Sequence, residues 1–179
     1  MRITPITPGT KPELAAQEAQ ILQARGRISD LYRVLLNSPP IAHGWEQMLS
    51  AVRNKSSLPA GLRELVIIRV AVLNKADFEY QAHVPIALKE GVTQAVIDAV
   101  TEAAYPISHI QQGWQASMAG NVQVALALTD AMTRAIDVPD SLFEQVKKHF
   151  DAQGQIDLVA TIAAYNMVSR FLTAFHIGH

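Results

Sequence analysis

The chain has 179 residues, of which 49% are apolar and 17% charged, and 15 Lys/Arg against 16 Asp/Glu leave a formal charge of −1. So much apolar surface in one domain's length of chain excludes a disordered or low-complexity protein, and with no basic field a nucleic-acid partner is not expected. Cysteine is absent, which removes disulfides, thiolate nucleophiles, Cys-zinc sites and iron–sulfur clusters together.

The opening Met1-Arg2-Ile3-Thr4-Pro5-Ile6-Thr7-Pro8-Gly9 carries a positive charge without an apolar stretch behind it, so no targeting segment is expected and the protein reads as cytoplasmic. Helices are predicted in turn over 14–23, 28–36 and 41–53 from 3–4 apolar spacing and the breaks at Gly26, Pro39-Pro40 and Pro59. The run 62–73 is apolar nearly all round, broken only by Arg63, Glu64 and Arg69, which predicts a helix buried on every side. After Asn74-Lys75, a helix over 76–90 closes at Gly91, and Thr93 caps a short one through residue 103. Residues 105–120, with Pro106, Gly113 and Gly120, read as irregular. A helix over 122–136 follows, then one opened by a capping box at Ser141-Leu142-Phe143-Glu144, and a long last helix over about 155–175.

No alternating strand pattern occurs, so the expected fold is all-α, with eight or nine helices. The last helix approaches membrane-spanning length, but Asp157, Asn166 and Arg170 are spread along it, and a buried helix rather than a membrane span is expected. Two helices without a polar face are more than a short chain readily covers alone, which predicts a homo-oligomer. The polar Tyr165, Asn166 and Arg170 on the last helix must then find partners, and hydrogen bonding between subunits is expected to supply them.

Three side chains stand out chemically. Glu64 heads an apolar stripe continued by Ile67, Ile68 and Ala71, so it either finds a partner or becomes easier to protonate. Glu79 and His83, four apart, share one helix face flanked by Tyr80 and Ile86, and an antiparallel neighbour brings Glu64 toward them. A buried carboxylate beside an imidazole makes a general acid–base pair; it is also an ordinary satisfied contact in a helical bundle, and spacing alone leaves both readings open. The histidines show no His-x-x-x-His or His-Glu-x-x-His spacing, and no glycine-rich phosphate loop occurs, so neither metal nor cofactor is expected. His109 and Trp114, in the irregular segment, are candidates for lining a pocket mouth.

The segment Leu58-Pro59-Ala60-Gly61-Leu62-Arg63-Glu64-Leu65-Val66-Ile67-Ile68-Arg69-Val70-Ala71, with Phe78-Glu79-Tyr80-Gln81-Ala82-His83-Val84-Pro85-Ile86-Ala87, resembles the carboxymuconolactone decarboxylase family, which includes alkylhydroperoxidase D. Tyr165-Asn166-Met167-Val168-Ser169-Arg170-Phe171-Leu172 is similar to the C-terminal signature of its longer members, so the resemblance spans about residues 40–176. It implies an AhpD-like helical bundle over 41–179, preceded by an N-terminal helical extension over 1–40 packed into the same globular unit, and a trimer or hexamer. In the peroxidase branch a Glu is followed by Cys-x-x-Cys-x-x-x-His; here the Glu and His fall on Glu64 and His83, and the cysteine positions on Ala76 and Glu79. Thiol-dependent peroxidation has no nucleophile in this chain.

The decarboxylase branch keeps the Glu and His alone. The resemblance therefore implies a cofactor-independent lyase acting on a small carboxylated or lactone molecule, of the kind met in aromatic-compound degradation. In this reading His83 is the acid–base group, Glu64 its partner, Glu79 a tuning carboxylate, and Tyr80, Arg63, Arg69, His109 and Trp114 substrate contacts. The rival expectations are a non-catalytic oligomeric small-molecule-binding protein, and an isomerase or hydrolase using the same Glu/His pair.

Overall fold

The computed structural model describes residues 1–102 and 119–178. Each apolar run bounded by proline, glycine or asparagine becomes a helix: after a short 3-10 turn at Pro12–Leu14 come α1 Ala15–Arg25, α2 Asp30–Leu35, α3 Pro39–Asn54, α4 Ala60–Leu73, α5 Asp77–Lys89, α6 Gln94–Thr101, α7 Ala119–Arg134, α8 Asp140–His149 and α9 Ala152–Phe175. The described residues contain no strand. Helix ends follow local chemistry. Gly91 takes the left-handed φ of 85° just past α5, a conformation glycine adopts without a Cβ penalty, and the Thr93 hydroxyl accepts from the Val96 N–H at 3.4 Å as the α6 cap. The capping box expected at Ser141 does not form. Instead α8 starts a residue earlier, behind Pro139 and without a side-chain cap, and Glu144 accepts from Lys147 Nζ at 2.6 Å.

The contacts fall into two units, Met1–Lys55 with the chain from Phe171 onward, and Ser56–Arg170. In the first, the buried Glu46 carboxylate of α3 binds all three helices. It accepts from Arg25 Nε of α1 at 2.9 Å, from the Tyr32 hydroxyl of α2 and from Ser50 one turn on. Burial alone would push the Glu46 pKa up, but these hydrogen bonds, from Ser50, Tyr32 and Arg25, outweigh it and hold it below the usual carboxylate value. Trp45 packs against Phe171 with ring centroids 5.0 Å apart, and Phe171 against Phe175 at 4.7 Å. The Arg2 backbone N–H donates to the Phe175 carbonyl at 2.9 Å.

In the second unit α4 packs on α5, α6 and α7, and α7 on α8. Every residue of α4 from Glu64 to Ala71 is buried. The chain's own helices therefore cover this element, and it does not by itself call for a partner subunit. Arg69, fully buried, clamps Asp130 of α7 through two bonds of 2.7 Å and donates to the carbonyls of Val100 at 2.8 Å and Glu102 at 2.7 Å. One guanidinium thus ties α4, the end of α6 and α7 together.

Asn166 of α9 is satisfied inside the chain rather than across subunits. Its amide donates to Thr133 Oγ1 and the Ile162 carbonyl, both at 3.0 Å, and its Oδ1 accepts from Asn74 at 3.0 Å and Arg170 at 2.7 Å. α9 is long and apolar enough to cross a membrane by length and composition. Its polar residues are nonetheless used as a core helix uses them, and Asp157 near its start accepts from both the backbone N–H and the hydroxyl of Ser57 at 2.7 Å.

Candidate functional site

Glu64 sits in the second turn of α4, and the chain reverses at Asn74 and Lys75, where Lys75 takes a left-handed φ of 54°. The reversal lays α5 against α4 and sets His83 opposite Glu64, with Glu79 one turn before His83 on the same face. His83 Nδ1 lies 2.6 Å from Glu64 Oε2, and His83 Nε2 lies 3.4 Å from Glu79 Oε2. All three are buried, with relative exposures of 0% for Glu64, 6% for Glu79 and 4% for His83. Glu79 and His83 are thus a buried pair and not a solvated one.

Burial by itself would lower the His83 pKa. The hydrogen bonds to Glu64 and Glu79, and the charges of both, outweigh it, so the pKa is raised above the ordinary histidine value. An imidazole between two carboxylates is therefore held toward its protonated form, Nδ1–H donating to Glu64. On the far side the Tyr165 ring of α9 meets the His83 ring edge-on, 5.1 Å between centroids and 88° between planes. This wall was not legible as part of the site. Tyr165 stood out only as a polar group on an apolar helix, and nothing in local spacing brings it to α5.

Glu64 spends one oxygen on His83. Its Oε1 has no hydrogen-bonding partner among the described residues, and the same holds for the neighbouring Arg63 Nε. The two atoms are 3.6 Å apart, beyond hydrogen-bond length.

The other expected substrate contacts fare differently. Arg69 belongs to the Asp130 clamp described above and not to the trio. Tyr80 is half-buried on α5, without a side-chain hydrogen bond to the trio among the described residues. His109 and Trp114 lie outside the described residues. Among those residues no group of three His, Cys, Asp or Glu is arranged to hold a metal ion. A separate apolar groove of about 260 Å³ is lined by Leu128, Met132, Ile136, Val138, Phe143 and Val159, and includes none of the trio.

A model of the carboxymuconolactone decarboxylase family matches residues 39–131, a stretch that contains Arg63, Glu64, Glu79 and His83. No curated protein matches the sequence. Solved structures share the fold at low identity. A cysteine-to-alanine variant of the debrominase Bmp8 in complex with 2,3,4-tribromopyrrole is 15% identical with a TM-score of 0.74, over 98% of this chain and 90% of that one. An uncharacterized peroxidase-related protein from Silicibacter sp. TM1040 is 15% identical with a TM-score of 0.76, over 96% and 87%. An alkylhydroperoxidase AhpD core protein from Ralstonia eutropha JMP134, also described as peroxidase-related, is 16% identical with a TM-score of 0.75, over 98% and 90%. These matches show an AhpD-like all-α fold, and they extend over nearly the whole chain, including residues before the family match.

Proposed function

This chain belongs to the carboxymuconolactone decarboxylase family, and from that premise we propose that it is an acid–base enzyme of the lyase type, acting without a thiol on a small carboxylated or lactone molecule. The observation that carries the reading is the buried Glu64–His83–Glu79 trio, in which one Glu64 oxygen makes no hydrogen bond among the described residues. Thiol peroxidation is not open to a chain without cysteine. The debrominase Bmp8 and the peroxidase-related proteins lend the fold, and their chemistry is not carried over.

In such a lyase the bond between the substrate's carbon skeleton and its carboxylate breaks, and CO₂ leaves. The electron pair passes into the conjugated lactone, and one proton is then delivered to carbon. His83, held toward its charged form by two carboxylates, is the proton reservoir. Glu64 bonds His83 through Oε2, and its buried Oε1 makes no hydrogen bond among the described residues; in this reading a proton moves from His83 through the Glu64 carboxyl to the carbon. Glu79 supports the charge on His83 from the opposite ring nitrogen.

A panel of lactones, β-keto acids and aromatic-degradation intermediates, followed separately for CO₂ release and ring opening, identifies the substrate and separates a lyase from a hydrolase or isomerase. On that substrate Glu64→Gln and His83→Asn should each lower turnover by about 10²–10⁴-fold. The double variant should be little worse than either single, since groups acting as a unit are not additive. Wild-type turnover by a folded Glu64→Gln protein would return the trio to a structural contact.

A further inference from the structure

We propose that Arg63 Nε–H and Glu64 Oε1 form a donor–acceptor pair that takes one neutral hydroxyl group of the ligand, an alcohol, enol or phenol oxygen, and discriminates against a carboxylate at that point. The inference deepens the acid–base reading and rests on it for the identity of the site.

The two atoms belong to consecutive residues and both are buried; they face each other as a long ion pair, and neither has a hydrogen-bond partner among the described residues. At 3.6 Å they are too far apart for a direct hydrogen bond and close enough for a single oxygen to reach both. A buried donor and a buried acceptor each carry a desolvation cost until matched. The group that matches them must accept from Arg63 and donate to Glu64. An ether or carbonyl oxygen accepts and leaves Glu64 Oε1 unmet. An ammonium donates and sets its charge against the guanidinium. A carboxylate accepts from Arg63 but places its negative oxygens beside Glu64, a like-charge contact in a buried site. A hydroxyl does both. Glu64 Oε2 faces His83 Nδ1 and leaves Oε1 to the ligand, and an enol formed as the substrate's electrons rearrange is the kind of oxygen that fits here. The substrate's own carboxylate must then be held elsewhere.

Binding can be read without turnover by titrating phenol, anisole and benzoate into the full-length protein while following the ring ¹H–¹⁵N resonances of His83. Phenol is expected to perturb His83 and to bind at least about tenfold tighter than anisole, the scale of a hydrogen bond to a charged group, with benzoate weaker than phenol. Arg63→Met removes the donor from which both oxygens accept, and should weaken phenol about tenfold and anisole as well. The phenol-to-anisole ratio in the wild type is decisive on its own if that variant misfolds. Equal binding of phenol and anisole would overturn the inference. So would tighter binding of benzoate that is lost in Arg63→Met, which would make Arg63 an anion contact. Failure of phenol to perturb His83 at its solubility limit would make the pair a water site. Any of these outcomes, alongside a Glu64→Gln variant that loses turnover, would sink the hydroxyl inference and leave the acid–base function standing.

Discussion

Single residues here are decided by what meets them from elsewhere in the chain. Arg69 and Arg63 are both cations on α4, and sequence spacing does not tell them apart. Asp130, 61 positions on, claims Arg69 in two bonds of 2.7 Å, while Arg63 Nε lies 3.6 Å from Glu64 Oε1 and has no hydrogen bond among the described residues. Asp130→Asn, which strands a buried guanidinium, should cost about 3 kcal/mol by urea denaturation, and the double change Arg69→Met with Asp130→Leu should cost less than that single change. Glu64 and His83 were legible because the Glu-x-x-x-His spacing and an apolar stripe are local signals. Tyr165 was not, because only tertiary packing puts its ring on His83. The raised pKa of His83 also has a stability consequence. A group whose pKa is higher folded than unfolded stabilises the fold fully below its unfolded value, about 6.5, and loses that contribution as pH rises through the folded value. The urea midpoint should therefore fall as pH rises above about 6.5, and His83→Asn should remove the part of the fall that comes from this group.

At the scale of helices, apolar periodicity and breaker residues located each described element to within a few positions, because both act within a turn or two of chain. α4 was the clearest, an apolar run set between Pro59 and Asn74 and buried throughout from Glu64 to Ala71. The Ser141 capping box does not form because the helix already begins at Asp140, which puts Ser141 inside the first turn and not at the cap. Close approaches between helices leave no mark in sequence. A Cβ on Gly120 of α7 would lie 2.7 Å from the His149 ring at the end of α8, whereas one on Gly44 of α3 would meet nothing within 4 Å. Gly44→Ala should thus raise stability by about 0.5–1 kcal/mol through helix propensity alone. Gly120→Ala should lower the thermal midpoint, and a His149→Ala background should abolish that loss, which a double-mutant cycle by thermal denaturation would measure.

For the molecule as a whole, the all-α class and the family were readable from composition and one motif, while the division into two units was not. It depends on the last helix, whose residues to Arg170 belong with Ser56 onward and whose Phe171 and Phe175 belong with the first 55 residues. Burial of α4 by its own chain shifts the case for self-association onto α9, where Ile156 and Met167 remain 69% and 40% exposed. A homo-oligomer remains our proposal, and light scattering coupled to size exclusion should give a mass above the 19.5 kDa of one chain. The contacts of Trp45 with Phe171 and of Arg2 with the Phe175 carbonyl also set an order of events during synthesis. Helices α1 to α3 are made well before Phe171, whose ring packs against Trp45. Until Phe171 is made, Trp45 lacks the ring that packs against it, so a chain truncated before Phe171 should be cut within its first 55 residues faster than the full chain in limited proteolysis.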